Sequence, residues 1–308
     1  MMTNLKENQR KITSLLEKLA VDQGIRPTIL DGVRLMRADT PHPRSPVLYD
    51  PSIVIVGRGR KRGYIGSLCY VYDPHNYLVL SVPMPFECET EIGPDGPMLG
   101  VSVRVDVAVV GELLLKMKRR PVVGPEDGPL GMCATPLDEK MTEAVVRLLE
   151  CLQSPDDAQI LGPQIMREIT YHVLCGKHGA ALQALITMNS NVGQIQRALH
   201  RMQTQLDEQI DIATLADEAG MSPSSFHHIF KSVTATSPLQ YLKTIRLHKA
   251  RMLMVHQGLS AGEAAIKVGY ESSSQFSREF KRFFGASPIA EANAMRERLG
   301  IRELESAI

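Results

Sequence analysis

The sequence predicts a two-domain α+β protein, with a β-rich N-terminal half carrying some helices and an all-α C-terminal half built on a repeated helix-turn-helix. Three observations carry that prediction. Between about 41 and 130, short β-branched runs alternate with Pro and Gly clusters. From about 137 the apolar period lengthens to that of a helix. Further on, one helical pattern occurs twice, as "MSPSSFHHIFKSVTATSP" at 221–238 and "YESSSQFSREFKRFFGASP" at 270–288. Phe226, Phe230, Lys231, Ser237 and Pro238 recur fifty positions later as Phe276, Phe280, Lys281, Ser287 and Pro288.

Composition sets the frame. A chain of 308 residues accommodates two domains, each with its own core. The net charge of +1 gives no global basic field, so any surface for a polyanion must be local. Cys69, Cys88, Cys133, Cys151 and Cys175 are scattered and odd in number, with no C-x-x-C pair. That argues for a reducing compartment and against both a disulfide framework and a zinc cluster. The opening "MMTNLKENQRKITSLLEKLA" interleaves charges with Ile12, Leu15, Leu16 and Leu19, the spacing of an amphipathic helix and not of a signal peptide. No apolar run approaches the roughly 20 residues that span a bilayer. The expectation is a soluble, cytoplasmic protein.

Along the β zone, "SIVIV", "SLCYVY", "YLVLSV" and "MLGVSVRVDVAVV" read as strands of an antiparallel sandwich or small barrel. In "DEKMTEAVVRLLECL", Met141, Val145, Leu148, Leu149 and Leu152 form one helical stripe, and "GPQIMREITYHVLCG" follows after a break. "ALQALITMNSNVG" loses periodicity and reads as a connector. The expected domains are therefore 1–194 (barrel about 41–130, helices about 137–190) and 195–308.

In the first copy of the repeat, at about 212–233, Ile212, Leu215, Ala216 and Ala219 share one face of a short helix, and Gly220 suits the left-handed turn that ends it. Ser222-Pro223 opens the next helix, Ser as cap and Pro in the first turn. Phe226, Ile229 and Phe230 face inward there, which leaves Ser224, Ser225, His227, His228 and Lys231 outside. The second copy, at about 259–282, turns at Gly269 and restarts at Ser272, which has capping-box spacing with Gln275. Phe276 and Phe280 anchor that helix and leave Ser273, Ser274, Ser277, Arg278 and Lys281 outward. Helix, tight turn, helix is the helix-turn-helix arrangement. One isolated copy would read equally well as a solvated amphipathic helix; two copies with matched turns and Ser-Pro exits argue for a binding face.

Charge points that face at DNA. Between Met221 and Gly285 nine Lys/Arg (231, 243, 246, 249, 251, 267, 278, 281, 282) face three Glu (263, 271, 279). A local positive excess suits phosphate neutralisation. The segment "LQYLKTIRLHKARMLMVHQ" between the copies reads as a helix of about 19 residues, a rod of roughly 28 Å at 1.5 Å per residue. With flanking turns, it would set two recognition helices about one DNA turn apart, near 34 Å.

"AGMSPSSFHHIFKSVTATSPLQYLKTIRLHKARMLM" followed by "EAAIKVGYESSSQFSREFKRFFGASP" resembles the DNA-binding domain of the AraC/XylS family over roughly 195–290. "YDPSIVIVGRGRKRGYIG", "YDPHNYLVLSVPMPFECE" and "ILGPQIMREITYHVLCGKHGAAL" resemble that family's N-terminal domain, a cupin-like barrel with dimerising helices. The resemblance implies a transcription activator that binds double-stranded promoter DNA, forms a homodimer through its N-terminal domain and contacts RNA polymerase. It also implies base or phosphate contacts from Ser224, Ser225, His227 and His228, and from Ser273, Ser274, Gln275, Ser277 and Arg278, with Lys231, Lys281 and Arg282 beside them. Arg278 suits a bidentate guanine contact. His227 and His228 depart from members with Trp, Gln or Arg there, so the first unit leans on phosphates and shape.

Other signals weigh less. "GRGRKRGYIG" lacks phosphate-loop spacing, and its Arg58, Arg60, Lys61 and Arg62 read as a solvated hairpin. A cupin enzyme fused to a DNA-binding domain would need clustered His and a carboxylate, yet the β zone offers only His42 and His75. The expectation is no metal, no cofactor and no enzyme. Tyr64, Tyr72 and Cys88 are candidate effector contacts, against the plainer reading of aromatic core and an inert buried thiol. The resemblance extends to an activator of an aldehyde reductase gene, and on that ground alone implies a small effector such as an aldehyde. A constitutive DNA binder with a merely structural barrel stays open.

Overall fold

A computed structural model describes residues 2–118, 131–177, 179–184 and 191–299. Helix α1 (Met2–Leu19) leads into nine strands: β1 (Gly24–Pro27), β2 (Val33–Ala38), β3 (His42–Tyr49), β4 (Ser52–Arg58), β5 (Arg60–Ile65), β6 (Leu68–Tyr72), β7 (Asn76–Leu80), β8 (Met84–Glu91) and β9 (Met98–Arg104). Helix α2 (Val107–Lys116) precedes β10 (Met132–Pro136), and α3 (Glu139–Cys151), α4 (Pro155–Ile160), α5 (Gly162–Cys175) and α6 (Gly179–Ala184) follow. In the C-terminal half every described element is a helix: α7 (Asn191–Thr204), α8 (Ile212–Glu218), α9 (Pro223–Thr234), α10 (Pro238–Gln257), α11 (Ala261–Lys267), α12 (Ser273–Phe284) and α13 (Pro288–Leu299). The expected α+β class is what the molecule has. Residues 119–130, at the end of the expected β zone, and 185–190 of the expected connector lie outside the described residues.

The strands form two antiparallel sheets, one ordered β1-β2-β9-β4-β7-β10 and the other β3-β8-β5-β6. In the first, β4 is buried along nearly its whole length because one face meets the other sheet and the other meets α1. The approach is close: a Cβ on Gly57 would lie 2.6 Å from a Leu16 methyl. Ile12 and Leu16 supply the buried stripe of α1, as their spacing predicts. The second sheet is covered on one face only, so its strands alternate. Lys61, Gly63 and Ile65 of β5 and Phe86, Cys88 and Thr90 of β8 point in, while Arg60, Arg62, Glu89 and Glu91 point out.

Three local readings change. The β fold begins at Gly24, well before 41. "VRVDVAVV" is not one strand: Asp106 accepts from the Ala108 amide at 2.8 Å and starts α2, a cap that outweighs the β preference of the valines. The basic hairpin is only partly solvated, because strand alternation turns Lys61 inward and leaves it 8% exposed.

The apolar core does not stop at the β domain. One continuous cluster runs from both sheets through Leu215, Phe226, Phe230, Val233 and Tyr241 to Ile245. A second, separate cluster gathers Leu247, Leu253, Ala264, Phe276 and Phe280. The first helix-turn-helix is thus packed on the β domain, and the second on the far half of α10. The Gly131 amide donates to the Val233 carbonyl at 3.2 Å across that junction.

Candidate nucleic-acid interface and β-domain interior

In the first unit, Asp211 caps α8 by accepting from the Ala213 and Thr214 amides. Gly220 takes φ +65°, the left-handed turn that a side chain would strain. Ser222 caps α9 by accepting from the Ser225 amide at 3.3 Å, with Pro223 in the first turn. Phe226 and Phe230 are fully buried with centroids 5.6 Å apart, and Phe230 meets Tyr241 edge-on at 5.4 Å. These rings fix which face of α9 is free. Ser224, Ser225, His227, His228 and Lys231 are all exposed on it. Ser225 Oγ accepts from Ser222 Oγ at 3.0 Å, so its hydroxyl is already oriented within the cap.

The second unit repeats the arrangement with different chemistry. Gly269 turns at φ +78°, where a Cβ would lie 2.5 Å from the Leu206 carbonyl oxygen. Ser272 caps α12 through the Gln275 amide at 3.2 Å. The capping box expected there is not completed, because Gln275 Nε2 donates to Glu279 Oε1 at 3.2 Å instead of reaching back. The complete box is Ser260 with Glu263, at α11. Phe276 and Phe280 are buried 5.4 Å apart, and Phe284 continues the stack at 4.5 Å. Ser273, Ser274, Gln275, Arg278, Lys281 and Arg282 are exposed and Ser277 is half-buried. Glu279 also accepts from Tyr270 at 2.9 Å and pairs with Lys243 at 3.3 Å. Burial alone would raise its carboxyl, but these donors outweigh it and hold the group below the usual carboxylate range.

The local basic excess is smaller than the sequence suggests. Arg246 donates to the carbonyls of Leu206 (3.0 Å) and Glu208 (2.8 Å) and fastens α10 to the turn before α8. Arg251 is buried, pairs with Glu291 at 2.9 Å and stacks over Phe284 at 4.3 Å. Lys231, Lys249, Lys267, Arg278, Lys281 and Arg282 are exposed. Counting charge along a sequence cannot separate cations spent on the fold from cations facing solvent. The 20 residues of α10 make a rod of about 30 Å.

Inside the β domain, the structure brings two of the three candidate effector residues together and sets the third apart. Tyr72 OH and Cys88 Sγ lie 3.2 Å apart, both buried. Tyr64 points to the outer face, where its phenol donates to Glu89 at 2.7 Å under the Arg44 guanidinium. Beside Tyr72 and Cys88 lie three residues that sequence reasoning did not select. Lys61 Nζ donates to Thr90 Oγ1 at 2.8 Å, and Tyr49 and Cys88 are in hydrogen-bonding contact with the same ammonium. The period-two alternation of "RKRGYI" was the signal that could have turned Lys61 inward. Among the described residues no group of three His, Cys, Asp or Glu is placed to hold a metal ion, and no helix is long and apolar enough to cross a membrane.

Comparison with known proteins follows this division. Residues 29–181 match the family model of the AraC-type transcriptional regulator N-terminus, and residues 215–293 match a helix-turn-helix domain model. The regulator AlkR of Acinetobacter baylyi is 42% identical over 77 residues, 25% of each chain. GlxA of Rhizobium meliloti is 34% identical over 90 residues, 29% of this chain and 28% of that one. The activator RhaS of Escherichia coli is 24% identical over 153 residues, 49% of this chain and 54% of that one. The chain thus spans between a quarter and about half the length of these relatives. The fold as a whole is shared with ToxT of Vibrio cholerae with an unsaturated fatty acid bound, at TM-score 0.58 and 12% identity over 85% of this chain and 93% of that one. With both halves matched and in the same order, the chain belongs to the AraC-type transcriptional regulators.

Proposed function

We propose that the chain is a sequence-specific regulator of promoter DNA, acting as an activator, in which residues 195–308 bind DNA and residues 1–194 sense a small effector and dimerise. The observation that carries this reading is the matched pair α9 and α12. Each is held by two buried Phe rings, starts at a Ser cap, and turns a Ser/His or Ser/Gln/Arg face outward. Joined by a rod of about 30 Å, they suit two successive major grooves. Ser224, Ser225, His227 and His228 then face one groove, and Ser273, Ser274, Gln275, Ser277 and Arg278 the other. Lys231, Lys281 and Arg282 neutralise phosphates. Activation runs through contact with RNA polymerase, and the protein works in the cytoplasm as a homodimer. No step of this role is enzymatic.

The contact between the β domain and the first unit supports effector control over constitutive binding, because a change in the β domain reaches Val233 and Tyr241 directly. ToxT, which shares the fold, holds an unsaturated fatty acid. A small molecule such as an aldehyde is the effector that the sequence resemblance suggests. The deciding experiment is gel-shift binding of the full chain to DNA upstream of its own and neighbouring genes, over a salt series with nonspecific competitor. A selective complex whose affinity falls steeply with salt is expected. Binding that competitor DNA abolishes at every salt concentration rejects the reading.

A further inference from the structure

Glu279 belongs to α12 but is largely withdrawn from its outward face, with 15% of its side chain exposed. It follows Gln275 by one helical turn, the spacing at which two side chains of a helix meet. Three donors converge on its carboxylate. Oε1 accepts from Gln275 Nε2 at 3.2 Å and from Lys243 Nζ at 3.3 Å, and Oε2 accepts from the Tyr270 phenol at 2.9 Å. Lys243 comes from α10 and Tyr270 from the segment between α11 and α12, so the group is fixed from outside its own helix as well as from within it. Burial would raise the carboxyl, but the three donors outweigh it and hold the group below the usual carboxylate range, ionised at neutral pH. Burial first, and Glu279 second, push the Tyr270 phenol up, so that donor keeps its hydrogen.

An ionised carboxylate has no hydrogen to give. The Gln275 amide must therefore turn its NH2 toward Glu279, which sends its oxygen the other way, on an exposed side chain. The two ends of an amide are nearly alike in shape, so this one contact decides which end meets a partner. The main chain of the same residue is fixed too, because its N–H donates to the Ser272 cap at 3.2 Å. Gln275 thus stands in the first turn of α12, where a recognition helix reaches base edges, with backbone and side chain both set.

We propose that Glu279 is a positioning residue for base recognition: it fixes the Gln275 amide with its oxygen outward, so that the second unit selects an adenine. The fixed amide offers one acceptor, Oε1, beside the one hydrogen left on Nε2. Adenine presents the matching pair in the major groove, the N6 amine and the N7 acceptor, whereas guanine presents two acceptors, O6 and N7. The same carboxylate neutralises Lys243, so it lowers general attraction to phosphate while it raises selectivity. The inference deepens the proposed function and rests on its reading of α12 as a DNA-reading helix.

Binding-site selection and gel shifts with the full chain test it. The wild type is expected to select an A·T pair at one position of the site, and Gln275→Ala to relax that position. Glu279→Ala is expected to relax the same position, with discrimination against G·C falling roughly tenfold. The double variant should lose no more than either single one. Replacing the selected adenine by purine, which lacks the N6 amine, should weaken the wild type and leave Glu279→Ala nearly unaffected. Glu279→Ala should also bind a nonspecific duplex more tightly, with a salt slope steeper by about one, because an anion is removed and Lys243 released. Glu279→Gln keeps the shape but can meet Gln275 in either sense, so it relaxes the position as well and serves if Glu279→Ala does not fold. An unchanged base preference in the Glu279 variants, a loss equal across all sequences, or a G·C pair at the position that Gln275→Ala relaxes overturns the inference. A wild type with no selective complex overturns the DNA-binding reading along with it; a selective complex with any of those three results overturns the positioning role alone.

Discussion

Tyr241, in the first turn of α10, donates its phenol to the main-chain carbonyl of Pro83 in the β domain at 3.0 Å, and both partners are buried. Burial holds this phenol far above its ordinary pKa, so the donor is present at any physiological pH. The helix that spaces the two DNA-reading units is thereby tied to the residue just before β8, the strand that carries Cys88 and Thr90.

Tyr241→Phe keeps the ring against Phe230 and leaves the Pro83 carbonyl without its donor. A loss of about 1–3 kcal/mol is expected, the cost of an unsatisfied buried acceptor. Urea midpoints of the two proteins measure it, and an unchanged midpoint would mean that water replaces the phenol.

The division of the core predicts two different outcomes for equivalent phenylalanines. Phe226→Ala and Phe276→Ala should each cost about 3–5 kcal/mol locally. Hydrogen exchange should accelerate in α9 and the adjoining β domain for Phe226→Ala, whose ring belongs to the shared cluster. For Phe276→Ala the acceleration should stay within α11, α12 and α13. Identical exchange patterns would show that the clusters unfold as one.

Arg278→Ala is expected to lose discrimination at one base pair by about 1–3 kcal/mol, while Lys231→Ala weakens binding to all sequences and reduces the salt slope by about one. Binding-site selection on both variants separates the roles. An unchanged sequence preference in Arg278→Ala would falsify its base contact.

His248 gives the molecule a pH dependence. Its Nδ1 accepts from Arg251 at 3.2 Å, so the proton of the neutral ring sits on Nε2, and the ring itself lies nearly perpendicular to Phe283 and Phe284. Burial first, and the Arg251 charge second, hold its pKa well below the ordinary 6.5. Below pH 6.5 the unfolded chain takes up a proton that the folded one refuses, so stability falls as the pH falls toward the folded value. The slope from this residue reaches about 1.4 kcal/mol per pH unit. Urea midpoints between pH 7.5 and 5.5 should drop in the wild type and flatten in His248→Leu. Carboxylates such as Glu279, with lowered pKa, lose their contribution only below the usual 4.5, outside that window.

The reading of the C-terminal half from sequence succeeded where local rules and packing agree. Phe226, Phe230, Phe276 and Phe280 recur at helical spacing behind Ser caps and Gly turns, and all four are fully buried. The exposed faces followed from them. The β domain was legible as strands but not as an interior, because which alternate residues face inward depends on strand partners distant in sequence. Lys61 shows this: its neighbours in the chain are Arg60 and Arg62, while its neighbours in space are Tyr72 and Thr90. Arg246 and Arg251 were counted toward a DNA-facing charge, yet carbonyls at 206 and 208 and the carboxylate of Glu291 claim them. Only tertiary structure distinguishes those roles.

The seam between the two apolar clusters falls inside a single helix, between Ile245 and Leu247 of α10. For anyone recombining relatives of this chain, the natural crossover point is therefore not the connector before α7 but the middle of that rod. A hybrid joined at the connector would part Val233 and Tyr241 from the surface they were shaped against, whereas one joined at Arg246 would inherit the first reader and its β domain as a single heirloom and leave polar contacts such as Arg251 with Pro46, Gln209 with Glu271 and Lys243 with Glu279 to be refitted across the new joint.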